Sequence, residues 1–108
     1  MKILCVGSLN IDRVYPVPHF ARAGETLAST GFSQAAGGKG LNQTIALARA
    51  GASVRHAGAV GEDGGLLRQA LRDAGVDDGL LAQSALPTGH AIIQVDPTGQ
   101  NSIIVSAG

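Results

Sequence analysis

The sequence predicts an α/β fold: a parallel sheet with helical crossovers, carrying a small separate sheet of antiparallel hairpins. Three observations carry this. Apolar runs that read as strands alternate with helix-period segments. Glycines close each helix-period segment. Two strand-rich stretches, 12–35 and 88–106, break the alternation. The 108 residues are 44% hydrophobic and 15% charged, the composition of a single soluble globular unit.

"KILCVG" opens the chain as a short continuous apolar run, expected to be a strand buried on both faces, with Cys5 a buried strand residue in a reducing compartment. Residues 40–50, "GLNQTIALARA", place Leu41, Ile45 and Ala48 on one helical face, and Gly51 follows as the stop. "VRHAGAVG" (54–61) reads as a second strand. "GLLRQALRDAG" (65–75) reads as a second helix, with Leu67, Ala70, Leu71 and Ala74 inward and Gly75 ending it. Strand, helix, strand, helix implies parallel pairing with right-handed connections.

The stretch 12–35 is too long for an ordinary strand-to-helix loop. It holds two strand-like patches, "DRVYPVP" and "TLASTGFSQ", around the turn-rich "HFARAGE". Near the C-terminus, "TGHAIIQV" and "NSIIVSA" flank the turn signal "DPTG". Neither stretch fits the parallel pattern, so both are expected in a second sheet.

Eight basic and eight acidic side chains balance, which leaves no electrostatic footprint for nucleic acid or an anionic membrane. Tyr15, Phe20 and Phe32 are the only aromatics, too few for a base-stacking platform. Lys2 and the short apolar run after it make neither a signal peptide nor a membrane span, so the expected location is the cytoplasm. His19, His56 and His90 lack metal-ligand spacing and read as ordinary, and Ser8 and Ser33 have no visible triad partner. Glu62 and Asp63 precede the second helix, where carboxylates suit an N-cap and the helix dipole.

The stretch "AAGGKGLNQ" (35–43) is the candidate site. It is not a Walker A loop, because Gly40 stands where the hydroxyl residue after lysine belongs. It is not a dinucleotide fingerprint either: Gln43 replaces the third glycine, and a long insertion separates it from the first strand. Ligands of open parallel sheets bind beyond the carboxyl ends of the strands, where "SLNID" emerges and the helix opened by "GGKG" begins. Asn10, Asp12, Gly37, Gly38, Lys39 and Asn42 can converge there. Amides, a carboxylate and free helix-start N–H groups suit hydroxyls, and glycines admit a polyol to the backbone. A plain turn at Gly37–Gly38 and a strand-end cap at Asp12 explain the same residues equally well.

"GSLNID", "GETL", "GGKGLNQ", "ARAGA" and "GAVGEDGG", in this order and spacing, resemble the N-terminal part of the ribokinase-like (PfkB) carbohydrate kinases. "PTGHAIIQVDPTGQNSIIVSAG" resembles the family's next hairpin, and the pattern is nearest to the ribokinase branch and related pentose or nucleoside kinases. The resemblance implies part of a three-layer, Rossmann-like body at 1–11 and 36–87, with an inserted β-lid at 12–35 and 88–106. A sugar, ribose or a similar pentose, would lie between them. Asn10 and Asp12 would bind its hydroxyls from the lid, Gly37, Gly38, Lys39 and Asn42 from the helix start, and Ala91 and Ile93 would pack on its apolar face. In some relatives a lysine like Lys39 contacts a substrate phosphate. Such kinases use ATP and Mg2+ with a monovalent cation, and the lid suggests a homodimer.

The family's chains are much longer, and their later part carries the glycine-rich anion hole, the catalytic aspartate and the nucleotide contacts. The expectation is therefore a sugar-side fragment without phosphoryl-transfer residues, with no catalytic residue and no metal ligand in these 108 positions. The alternative is a non-catalytic sugar-binding or lid-mediated assembly module. A dinucleotide oxidoreductase is disfavoured by the spacing above.

Overall fold

A computed structural model describes residues 2–108. Along the chain run β1 (Lys2–Val6), β2 (Asn10–Pro16), β3 (Ser33–Gly37), α1 (Lys39–Arg49), β4 (Ser53–Val60), α2 (Gly65–Asp73), β5 (Leu81–Gln83), β6 (His90–Val95) and β7 (Asn101–Ser106). They form two sheets. The first is parallel, in the order β1-β4-β5, and the second is four-stranded, in the order β3-β2-β6-β7. The expected mixed architecture is present.

Both helices end where the sequence places their glycines, with Gly51 at φ 90° and Gly75 at φ 77°, left-handed values that glycine adopts without a Cβ penalty. Helix α1 buries Leu41 and Thr44, with Ile45 and Ala48 partly covered, and packs on β1 and β4. Helix α2 buries Leu67 and Leu71 and contacts β2 and β3, so it ties the second sheet to the body. Leu9, Ile11, Leu41, Val54, Val60, Leu67, Leu71, Val76 and Leu81 form one core spanning both sheets. A fully buried side chain of this type contributes about 1.5–3 kcal/mol, so the two sheets share one stabilising cluster.

Strand β1 departs from the expected double burial. Its alternate residues Ile3 and Cys5 face the core and are half-buried, whereas Leu4 and Val6 are 58% and 76% exposed. Both helices contact the rest of the fold through the core, so no described element covers the opposite face of the parallel sheet.

The second sheet is more mixed than two hairpins. Strands β2 and β3 are antiparallel (Asp12 opposite Ala35), and so are β6 and β7 (Ile93 opposite Ile103). Its central pair β2–β6 is parallel, with Asp12 beside Ala91. Of the patch "TLASTGFSQ", only Ser33 and Gln34 enter a strand. The "DPTG" turn is as expected: Asp96 Oδ1 accepts from Thr98 N–H, Thr98 Oγ1–H and Gln100 N–H, and Gly99 sits at φ 85°.

The chain passes between the sheets at 7–9, at Gly38 and at 84–89.

Candidate functional site

Side chains alternate across a strand, so the register decides which residues share a face. In the second sheet Asn10 pairs with Gly37, Asp12 with both Ala35 and Ala91, and Val14 with Ile93. Asn10, Asp12, Gly37, Ala91 and Ile93 therefore lie on one face. Ile11, Arg13 and Tyr15 take the other, where Ile11 is buried in the core. Five of the eight residues singled out in the sequence are thus brought together. Ile93 is the outermost, beside Val14 and Ile103, about 7 Å along the strand from Ala91.

Two glycines give the polar side chains their places. A Cβ on Gly37 would lie 2.6 Å from Asp12 Oδ2, and one on Gly89 would lie 2.6 Å from Asn10 Oδ1. Each side chain thus rests over a bare stretch of neighbouring backbone. Asp12 stands mid-strand in β2, so it does not cap a strand end.

Gly38 joins this face to α1. It is the helix N-cap, at φ 104° and ψ 136°, and no side chain caps the helix. A Cβ there would sit 2.6 Å from Ser8 O and 3.2 Å from the Asn10 nitrogen, so only glycine permits the approach. Leu41 N–H donates to Ser8 O (3.1 Å), and Asn42 N–H donates to Gly38 O (2.9 Å). Lys39 and Asn42 are exposed on the first turn, which contains no acidic residue. Gly40 is pressed against the β1 end, since its Cβ would lie 2.6 Å from Gly7 C.

A cavity of about 390 Å³ opens beside this junction, lined among others by Ser8, Asn10, Gly61, Thr88, Gly89 and Val105. It lies at the carboxyl ends of the parallel strands, between the chain crossings. Of the residues singled out in the sequence, only Asn10 lines it.

The cavity wall is held by a cluster that local sequence patterns do not signal. Thr88, buried in the connection just before β6, donates its hydroxyl to Asp63 Oδ1 (2.6 Å) and accepts from Gly61 N–H (2.8 Å). Thr88 N–H also donates to Asp63 Oδ1 (2.9 Å), and Arg13 of β2 lies 3.7 Å from Asp63 Oδ2. The Thr88 hydroxyl, then its N–H, then the Arg13 charge hold the Asp63 carboxyl below the usual carboxylate range. This replaces the expected helix-cap role: α2 starts at Gly65 with Gly64 as its N-cap and no acidic residue in its first turn. Asp63 is turned across to the second sheet instead.

The assembled groups are a carboxylate, a carboxamide, an ammonium, helix-start backbone and small apolar side chains. Groups of this kind are suited to hydrogen-bonding a neutral polyhydroxy ligand.

The chain is similar to known proteins along its length. The profile of the pfkB family carbohydrate kinases matches residues 1–108. Ribokinase of Haemophilus influenzae is 40% identical over 106 residues, 95% of this chain and 35% of that protein. The bifunctional ribokinase/ribose-5-phosphate isomerase A of Fructilactobacillus sanfranciscensis is 41% identical over 111 residues, 99% of this chain and 21% of that protein. Among solved structures, ribokinase of Cryptococcus neoformans in complex with ADP superposes with a TM-score of 0.90 at 44% identity, over 97% of this chain and 34% of that one. Arabidopsis thaliana ribokinase, complexed with ribose and ATP, gives a TM-score of 0.86 at 34% identity, over 97% of this chain and 35% of that one. The chain spans about a third or less of the length of these relatives.

Proposed function

The chain belongs to the pfkB family of carbohydrate kinases, and on that premise we propose that it forms the sugar-binding side of a kinase that phosphorylates ribose or a similar pentose. The observation that carries this reading is the shared face of Asn10, Asp12, Gly37 and Ala91, placed against the uncapped start of α1.

In this reading the Asp12 carboxylate accepts hydrogen bonds from two sugar hydroxyls. The Asn10 carboxamide accepts from one hydroxyl and donates to the next. Gly37 and Gly38 let the ring approach the backbone, and the first turn of α1, with Lys39 and Asn42, donates to its oxygens. Ala91 and Ile93 cover the apolar face of the ring. Held this way, one hydroxyl is presented at a fixed place and direction, and positioning accounts for much of the barrier reduction in phosphoryl transfer.

ATP with Mg2+ supplies the transferable phosphoryl group in the proposed reaction, with a monovalent cation as auxiliary. Among the described residues no three His, Cys, Asp or Glu gather to hold a metal, and none is assigned to it here. These residues bind and orient the acceptor. We assign them no phosphoryl-transfer activity by themselves, and we place the reaction in the cytoplasm.

The second sheet acts as a lid over the sugar and as a dimer contact. Ile103, Ile104 and Val105 of its edge strand β7 are 51%, 62% and 66% exposed, and an exposed apolar edge favours pairing with another chain. Pairing without chemistry is the alternative reading, and calorimetry on the protein containing this segment separates the two. Ribose should bind, and Asp12→Ala should weaken it roughly ten- to a hundred-fold, the worth of charge-assisted hydrogen bonds. Absence of pentose binding in a folded protein contradicts the kinase reading.

A further inference from the structure

The two groups of sugar contacts arrive on separate pieces of backbone. The β1–β2 connection at 7–9 delivers Asn10 and Asp12, and the first turn of α1 delivers Gly38, Lys39 and Asn42. Glycines bring the two pieces into contact at Gly7–Gly40 and Ser8–Gly38. Such contacts limit how near the pieces come. Leu41 N–H of α1 also donates to Ser8 O of the connection (3.1 Å), a backbone tie across the junction.

Beneath this junction lies His56 of β4, whose side chain is fully buried. One ring nitrogen, Nδ1, is 2.7 Å from Thr44 Oγ1 in the second turn of α1, also fully buried. The other, Nε2, is 3.1 Å from Gly7 O in the β1–β2 connection. A carbonyl oxygen only accepts, so Nε2 carries the hydrogen and donates to Gly7 O. In the neutral ring Nδ1 is then the acceptor, and the Thr44 hydroxyl donates to it. One histidine is thereby bonded to both pieces of backbone. Gly58, two residues on, leaves the space: a Cβ there would lie 3.0 Å from Gly7 O and 3.4 Å from His56 Nε2.

We propose that His56, as the Nε2–H tautomer bonded to Thr44 and Gly7, is a positioning residue for sugar recognition. It fixes the β1–β2 connection against helix α1, so that Asn10 and Asp12 address the same ligand as Gly38, Lys39 and Asn42. Two directional hydrogen bonds from a fully buried ring constrain distance and angle together, which packing of an apolar side chain would not do. The inference rests on the sugar-site reading.

The test uses the intact kinase containing this segment, with His56→Phe, Thr44→Val and His56→Gln. His56→Phe keeps a planar ring and removes both bonds. Thr44→Val is isosteric and removes one. His56→Gln offers an amide N–H to Gly7 O and a carbonyl to Thr44. Small misplacements of binding groups are costly, so His56→Phe should raise KM for the sugar roughly tenfold, with KM for ATP within about twofold. Thr44→Val should shift the same constant in the same direction, the double variant should be no worse than His56→Phe, and His56→Gln should recover most of the loss. Nitrogen-15 NMR of the wild-type ring should show Nε2 protonated and Nδ1 bare.

Folded His56→Phe with wild-type sugar KM, or equal losses toward sugar and ATP, overturns the proposal, as does an Nδ1–H tautomer. If His56→Phe does not fold, the isosteric Thr44→Val decides by the same criterion. A wild-type enzyme inactive on every pentose sinks the sugar-site reading as well, whereas an active enzyme with insensitive variants sinks this inference alone.

Discussion

Adding one methyl group at Gly37 is expected to disable sugar binding while leaving the fold in place. Its Cβ would fall 2.6 Å from Asp12 Oδ2 and 3.0 Å from Asp12 Cγ and Oδ1, so the carboxylate must turn away. Gly37 is not among the positive-φ glycines, so its backbone accepts alanine. Alanine for glycine at a compatible position stabilises by about 0.4–1 kcal/mol through the unfolded chain. A displaced Asp12 rotamer costs about 0.5–1.5 kcal/mol. The net change in stability is therefore within about 1 kcal/mol. Loss of the carboxylate's bonds to the sugar is worth about 1.5–3 kcal/mol, or roughly ten- to a hundred-fold in affinity. The assay is sugar KM, ATP KM and urea denaturation of Gly37→Ala in the intact enzyme, alone and combined with Asp12→Ala. Sugar KM should rise by that factor, ATP KM should stay within about twofold, and the double variant should be little worse than Asp12→Ala. Wild-type sugar KM in Gly37→Ala would refute the placement of Asp12 in the site.

Gly40→Ala meets backbone instead of a side chain, at 2.6 Å from Gly7 C and 2.7 Å from Ser8 N, and should destabilise the fold by about 1–3 kcal/mol in urea titration. Thr88→Val leaves the Gly61 N–H without its hydroxyl partner and removes one of the two bonds that Asp63 Oδ1 accepts, and should cost about 1–3 kcal/mol. Because Asp63 is held below its ordinary pKa in the fold, its contribution is present above the unfolded value and lost as pH falls through the folded one. Asp63→Asn should accordingly flatten the acid limb of the stability–pH curve, measured by thermal unfolding between pH 6 and acid on the order of pH 2. Ile103→Asp with Ile104→Asp should shift the protein toward monomer in light scattering, and an unchanged mass would remove β7 from the dimer contact.

The parallel body was legible because its signals are local. Leu41 and Leu67 recur at helical period, and Gly51 and Gly75 mark ends that only glycine fits comfortably. The β2–β6 pairing was not legible, since Ile11 and His90 meet across a long stretch of chain, and neither strand carries a mark of its partner. Burial of β1 was overread for a related reason. An apolar run has the same composition whether one face or both are covered, and Leu4 and Val6 lie on a face that no described element covers. Within the candidate site, Asn10, Asp12 and the glycines stand out through motif and chemistry. Thr88 and Asp63, joined only by tertiary hydrogen bonds, gave no comparable signal. His56 was visible as a residue and read as ordinary, because its bonds to Thr44 and Gly7 exist only in three dimensions.

The central claim is that these residues grip a pentose for phosphorylation. The most direct measurement is phosphorus NMR of the intact protein incubated with ATP, Mg2+ and ribose, beside an Asp12→Ala sample at equal concentration. A sugar phosphomonoester should accumulate with the wild type and fall at least roughly tenfold in rate at subsaturating ribose in the variant. No phosphomonoester from ribose or related pentoses, or equal rates in the two samples, would contradict the account.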